Sequence, residues 1–167
     1  MTGWRCFLCR DAKTACPSHE EYWPILPLHS YRLSRNAALS GLENAPIRYI
    51  VDDCKKFVER EIRRGNKYDA IIMDPPSYGR GPSGEIWKLE KDLYPFLQLV
   101  TGVLSDDPLF VIINSYTTGL APSAVGYAAD VVFGAQHGGK TTVGELGLPV
   151  KSTGIMLPCG STGRWTP

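Results

Sequence analysis

The feature that most constrains this chain is a short apolar run that stops at two prolines. Tyr68-Asp69-Ala70-Ile71-Ile72-Met73 lacks polar–apolar alternation over its last four residues. That pattern is typical of a strand buried on both faces. It ends at Asp74, and Pro75-Pro76 follow. Two prolines in succession fix the backbone, remove two donors and push Asp74 away from helical geometry. The strand can neither extend its ladder there nor turn directly into a helix. Residues 75–88 are rich in Pro, Gly and Ser and read as a long loop at the strand's carboxyl end, a usual place for function.

The text on either side has the same grammar. Leu33 to Leu42 reads as a short helix closed by Ser40-Gly41. Ile47 to Val51 is rich in β-formers, and Asp52-Asp53 offers a helix cap. Cys54, Phe57, Val58 and Ile62 then recur at helical spacing, with Lys55, Lys56, Glu59, Arg60, Arg63 and Arg64 on the other face, and Gly65 ends the helix. Asp92 is expected to cap the next helix, with Pro95 in its first turn and Leu93, Phe96, Leu97, Val100 and Leu104 as its buried stripe. Pro108 to Ile113 is a second buried strand running into Asn114-Ser115-Tyr116. Pro122 to Phe133 reads as helical, and Thr141 to Leu148 and Gly154 to Leu157 as two late strands. Strands alternating with helices predict an α/β fold with a doubly wound, mostly parallel sheet. Such sheets bind ligands at the carboxyl ends of their strands, and Asp52-Asp53, Asp74 and Asn114 all stand at such ends.

Composition bounds the rest. The 167 residues suit one domain, able to bury on the order of two thirds of its unfolded surface. A net charge of +1 gives no global pull toward nucleic acid or membrane, so a nucleic-acid partner requires a local patch. No apolar run reaches the ~18 residues of a membrane helix, and Met1-Thr2-Gly3-Trp4-Arg5 lacks a signal-peptide layout. Five cysteines do not suggest a disulfide framework and fit a reducing, cytoplasmic setting.

The stretch Lys67 to Gly79 resembles the fourth motif of class I S-adenosylmethionine-dependent methyltransferases with its preceding strand. Asn36 to Leu42 followed by Ile47 to Asp53 resembles that family's helix and third strand. Asn114 to Gly119 is similar to the end of its fifth strand, and Gly144 to Pro149 with Leu157 to Gly160 resembles its last hairpin. The match covers roughly residues 33–167 and is closest in style to bacterial enzymes similar to large-subunit rRNA methyltransferases. The resemblance implies a Rossmann-like fold with a C-terminal antiparallel hairpin and S-adenosylmethionine as cofactor. It implies an RNA base as methyl acceptor, with rRNA or other structured RNA as partner. By position, Asp74, Pro75, Pro76 and Tyr78 would serve methyl transfer. Asp53, the Cys54 amide and Asp74 would hold the cofactor, and Tyr78, Asn114 and Tyr116 would hold the acceptor. No cysteine stands in the Asn114-Ser115-Tyr116 segment, which favours transfer to nitrogen or oxygen over a covalent cysteine mechanism.

The first 30 residues depart from this pattern. They carry Cys, Trp and Pro without a helical or strand period, so residues 1–30 are expected to form an irregular segment and 31–167 a partial methyltransferase domain. The family's glycine-rich loop after the first strand and its acidic residue after the second are not visible, so the fold is expected to be incomplete at its N-terminus, with the third strand left without its neighbour. This leaves a non-catalytic remnant or nucleic-acid-binding module as an alternative. Zinc enters that alternative through Cys6-x-x-Cys9 and Cys16-x-x-His19, which have ligand spacing. The flanks lack knuckle-like turn residues, so a plain cysteine-rich tail without metal is the favoured reading. Gly134-Ala-Gln-His-Gly-Gly-Lys140-Thr141 matches a P-loop letter for letter, yet the phosphate chemistry requires a helix directly after it. Thr142 to Gly147 is strand-like, which predicts a surface turn and leaves P-loop nucleotide binding as a remote alternative. Arg63, Arg64, Lys67, Arg80, Lys88 and Lys91 are candidates for a basic rim facing RNA.

Overall fold

The computed structural model describes residues 5–9, 18–20, 35–45, 47, 49–80 and 84–167. In chain order the elements are β1 (Arg5–Cys9), β2 (Ser18–Glu20), a helical turn α1 at 35–39, β3 (Tyr49–Val51), α2 (Cys54–Arg64) and β4 (Ala70–Asp74). A small hairpin of β5 (Tyr78–Arg80) and β6 (Ile86–Lys88) precedes α3 (Leu89–Thr101), β7 (Phe110–Ser115) and α4 (Pro122–Ala129). A π-turn at Asp130–Gly134 leads into α5 (Ala135–His137), β8 (Lys140–Pro149) and β9 (Met156–Thr166).

Seven strands form one sheet in the order β3-β2-β1-β4-β7-β9-β8. The β2–β3 and β4–β7 pairs are parallel, while β1 and β9 run against both of their neighbours. The α/β fold with an antiparallel C-terminal hairpin is the one expected; its sheet is mixed, with two of its six strand pairs parallel. The N-terminal segment differs from its reading: β1 and β2 lie between β4 and β3, so the third strand has β2 beside it. A reversed β1 explains why no glycine-rich strand-to-helix turn marks it. Antiparallel neighbours can be joined by a short connection, whereas a parallel pair needs a crossover.

Asp53 caps α2, its Oδ1 accepting from the Lys56 amide at 2.9 Å, and Gly65 closes the helix in the left-handed region at φ 70°. Its buried residues are Cys54, Phe57, Val58 and Glu61, the spacing 0, 3, 4, 7 of one helical face. Glu61 takes the place expected of Ile62, which is exposed. The Glu61 carboxylate receives Asn66 Nδ2 at 2.7 Å, Arg64 at 2.9 Å and the Tyr68 hydroxyl.

In α3 the cap is Lys88 rather than Asp92, and Pro95 lies inside the helix rather than in its first turn. Asp92 instead accepts from the Lys88 amide at 2.6 Å, satisfying the entrance of the helix from one turn in. β9 is longer than its sequence signal because it starts against β8 alone and then also pairs with β7 from Ser161. Pro158 sits in its first part, where it faces only β8 and its missing donor is tolerated. A bulge there leaves Cys159 between the pairs Leu146↔Gly160 and Gly147↔Pro158.

The core joins Ile71 and Met73 of β4, Val111 and Ile113 of β7, and Trp165 of β9 to α2, α3, α4 and Phe133. The alternate residues Ile72, Phe110 and Ile112 face the other way and are only half-buried, with Arg164 lying over the Phe110 ring at 5.9 Å. Among the described residues no helix is long and apolar enough to cross a membrane.

Candidate functional site

Because β3, β4 and β7 run in the same direction, Asp52-Asp53, Asp74 and Asn114 reach the same edge of the sheet. Asp74 and Asn114 directly follow the paired residues Met73↔Ile113, so they are neighbours at the tips of adjacent strands. Asp53 lies three strand spacings from β4, roughly 14 Å.

The loop that leaves Asp74 is fixed from two sides. The Pro76 carbonyl accepts the indole N–H of Trp87 at 2.7 Å, and the Ser77 carbonyl accepts the Leu89 amide at 3.1 Å. From the other side the Ser77 hydroxyl bonds that of Thr117 at 2.7 Å. These bonds answer a need created by the sequence, since prolines cannot donate to one another and the loop cannot satisfy its own carbonyls. Pro75 is buried, Asp74 and Pro76 are half-buried, and Tyr78 projects at 48% exposure with its hydroxyl accepting from Arg80 Nε at 3.1 Å. Residues 75–88, expected as loop, contain the β5–β6 hairpin, whose pair Gly79↔Trp87 delivers the indole.

Two cavities flank this loop. One, of about 460 Å³, lies between the start of α2, the β5–β6 hairpin and α3. Asp53 and Cys54 line it with Ile86, Trp87, Pro95 and Phe96, which combines a helix N-terminus with apolar and aromatic walls. The Cys54 side chain is core, at 2% exposure, so what it can offer a ligand is backbone. Asp53 spends one carboxylate oxygen on the cap, and its neighbour Asp52 accepts the Asp53 amide at 2.8 Å and pairs with Arg60. The second cavity, of about 330 Å³, lies beyond Thr117, between the end of β7 and the β8–β9 hairpin, with Tyr116, Glu145, Cys159 and Ser161 on its walls. Tyr116 is 53% exposed and lies along Gly160, where a Cβ would come within 2.7 Å of its ring and 2.5 Å of the Ser115 carbonyl.

The expected residues thus fall into three groups. Asp53 and Cys54 share the first cavity and Tyr116 lines the second, while Asp74 through Tyr78 line neither and adjoin them through Gly79 of the first and the Ser77–Thr117 bond to the second, with Asn114 at the adjacent tip. Sequence reading missed Trp87, Phe96, Ser77 and Thr117. Phe96 was legible only as core, and Trp87 sits in a three-residue strand too short to show a period.

Other candidates are separated. Arg63 and Arg64 close α2, about 16 Å along the helix from Asp53, and Lys67 follows it. Arg64 pairs with Glu61 and Lys67 donates to the Gly102 carbonyl. Only Arg80, Lys88 and Lys91 lie by the loop, so the six do not form one rim. The P-loop lookalike is a helix end and a turn. Gly138 and Gly139 have φ of 69° and 76°, and Lys140 opens β8 with no helix after it. Gly139 is required by contact, since a Cβ would meet the Thr166 carbonyl at 2.1 Å. Of the four residues with zinc spacing, Cys16 lies outside the described residues. Cys6 and Cys9 are in β1, and His19 is the β2 residue paired with Cys6. Among the described residues no group of three metal-ligating side chains occurs.

No protein-family model matches the chain, nor does any curated protein. Solved structures do. The S-adenosylmethionine-dependent methyltransferase from Agrobacterium tumefaciens is 36% identical over 80% of this chain and 44% of its own, with a TM-score of 0.70. SMU.776, solved in complex with SAH, is 22% identical over 83% of this chain and 37% of its own, at 0.59. The precorrin 8W decarboxylase of Methanobacterium thermoautotrophicum is 10% identical over 89% and 68%, at 0.50. The chain therefore spans less than half the length of the first two. The shared sheet, the antiparallel hairpin and the identity to the Agrobacterium protein together show that the chain carries the class I fold of the S-adenosylmethionine-dependent methyltransferases.

Proposed function

We propose that this chain forms the acceptor-side portion of an S-adenosylmethionine-dependent methyltransferase site acting on a base in structured, cytoplasmic RNA. The observation that carries the reading is the Asp74-Pro75-Pro76-Ser77 loop, braced from both sides at the sheet's carboxyl edge and set between two cavities. Bound S-adenosylmethionine supplies an activated methyl group, so the protein's task is placement more than acid–base chemistry. The adenine end fits the residues present. The 460 Å³ cavity offers flat apolar walls, a carboxylate at Asp53 for an amino group, and the Cys54 backbone for the ring. The methionine end has a poorer match, because no glycine-rich loop stands beside β4 among the described residues and β1 occupies that position reversed. Asp74 and Asn114 orient the acceptor, and Tyr78 and Tyr116 flank its plane. Arg80, Lys88 and Lys91 supply the local positive charge that an RNA backbone requires.

Calorimetric titration with SAH and with adenosine tests this reading. Both are expected to bind with similar affinity, because on this reading the adenine end makes the contacts and no glycine-rich cradle for the amino acid stands among the described residues. Absence of heat from both at millimolar ligand removes the cofactor role. Labelled S-adenosylmethionine incubated with total RNA then tests the acceptor, and label confined to protein overturns the RNA assignment.

A further inference from the structure

Trp87 belongs to both halves of the candidate site. Its ring lines the cavity assigned to adenine, with Phe96 edge-on at 6.1 Å and an interplanar angle of 88°. Its N–H holds the Pro76 carbonyl at 2.7 Å, in the loop assigned to methyl transfer. The next element repeats the arrangement, since Leu89 at the start of α3 donates to the Ser77 carbonyl. The hairpin pair Gly79↔Trp87 closes the circuit back to the residue two beyond Ser77.

We propose that Trp87 is a positioning residue that couples occupancy of the cofactor cavity to the set of the Asp74–Tyr78 loop. This rests on the cofactor reading above. A planar ligand entering the cavity meets the indole as one of its apolar walls, beside Ile86, Pro95, Phe96 and Leu99. The indole cannot shift without carrying the Pro76 carbonyl or breaking that bond. Filling the cavity therefore narrows the positions open to the loop, and the acceptor meets an ordered Asp74 only when cofactor is bound. Phenylalanine at this position retains the wall and loses the link, a distinction that a purely structural tryptophan would not show.

Hydrogen exchange of the whole chain, with and without SAH, reads this coupling. In the wild type, SAH is expected to slow exchange of the Tyr78 and Gly79 amides. In Trp87→Phe those amides exchange up to about tenfold faster without ligand, the loss of one hydrogen bond. SAH still binds this variant and no longer slows them. Trp87→His retains a ring N–H and is expected to restore part of the protection. Phe96→Leu alters the wall and leaves the coupling in place. Unchanged protection in Trp87→Phe, with SAH still slowing exchange, overturns the proposal. If SAH fails to bind the wild type, the cofactor reading and the coupling both fall. The ligand-free comparison then still reports whether the indole bond alone orders the loop.

Discussion

Glu61 is the clearest case of a single residue whose chemistry is set by its surroundings. At 4% exposure its burial pushes the carboxyl pKa up, but hydrogen bonds from Tyr68, Asn66 and Arg64, together with the Arg64 charge, outweigh that and hold it below the usual carboxylate value. A depressed folded-state pKa means the carboxylate's contribution is fully present above the unfolded pKa of about 4.3 and is lost as pH falls through the folded one. Glu61→Ala leaves the Tyr68 hydroxyl and Asn66 amide without their acceptor and is expected to cost about 1–3 kcal/mol at pH 7. Urea denaturation at pH 7 and at pH 3 should show the gap between variant and wild type narrowing in acid. A gap independent of pH would mean that packing, not charge, gives Glu61 its weight.

At the scale of the element, α2 carries two demands on one side chain. Asp53 is both the cap of the helix and the expected acceptor for adenine. The two roles separate by substitution. Asparagine caps nearly as well as aspartate, whereas alanine at this position costs about 1 kcal/mol. Asp53→Asn is therefore expected to keep the melting temperature and weaken SAH binding, and Asp53→Ala to lose both. A tight-binding Asp53→Asn would reduce Asp53 to a cap. The same separation was not available for α3. There the sequence placed the entrance at Asp92, while the fold starts the helix at Leu89 because the β5–β6 hairpin hands the chain directly to it. Asp92 then serves from inside the first turn, and Pro95 is carried within the helix.

For the whole molecule, Trp165 is the residue on which the C-terminal half closes. It is fully buried, packs against the tilted Phe133 ring at 5.5 Å, meets His137 at 5.9 Å and donates to the Gly138 carbonyl at 3.1 Å. It thereby ties β9, the π-turn and the turn before β8 to the sheet. Trp165→Ala is expected to cost about 3–5 kcal/mol, since it removes a large core side chain and an indole hydrogen bond together. If chemical denaturation shows less than about 1 kcal/mol, the C-terminal hairpin is an appendage and not part of one cooperative unit.

The sequence by itself determined the elements whose signals are local. The double proline ended β4 at Asp74, Asp52-Asp53 and Gly65 bounded α2, and the apolar runs placed β4 and β7. The convergence of Asp53, Asp74 and Asn114 was legible because strand ends collect on one edge once the strands run in the same direction. The tertiary structure decided what depends on distant partners. Residues 5–9 have no period of their own, yet pair along the length of β4 in reverse. Glu61 is buried because Tyr68 and Asn66 return to meet it. The basic residues divide because one helix separates them. The Asp74 loop is braced because Trp87 and Thr117, eleven and forty-one residues downstream of Pro76, supply a donor and a partner that the prolines cannot. A chain can specify locally where a strand must stop. What holds the stopped strand's loop in place is a hydrogen-bonding requirement that only the assembled fold can meet.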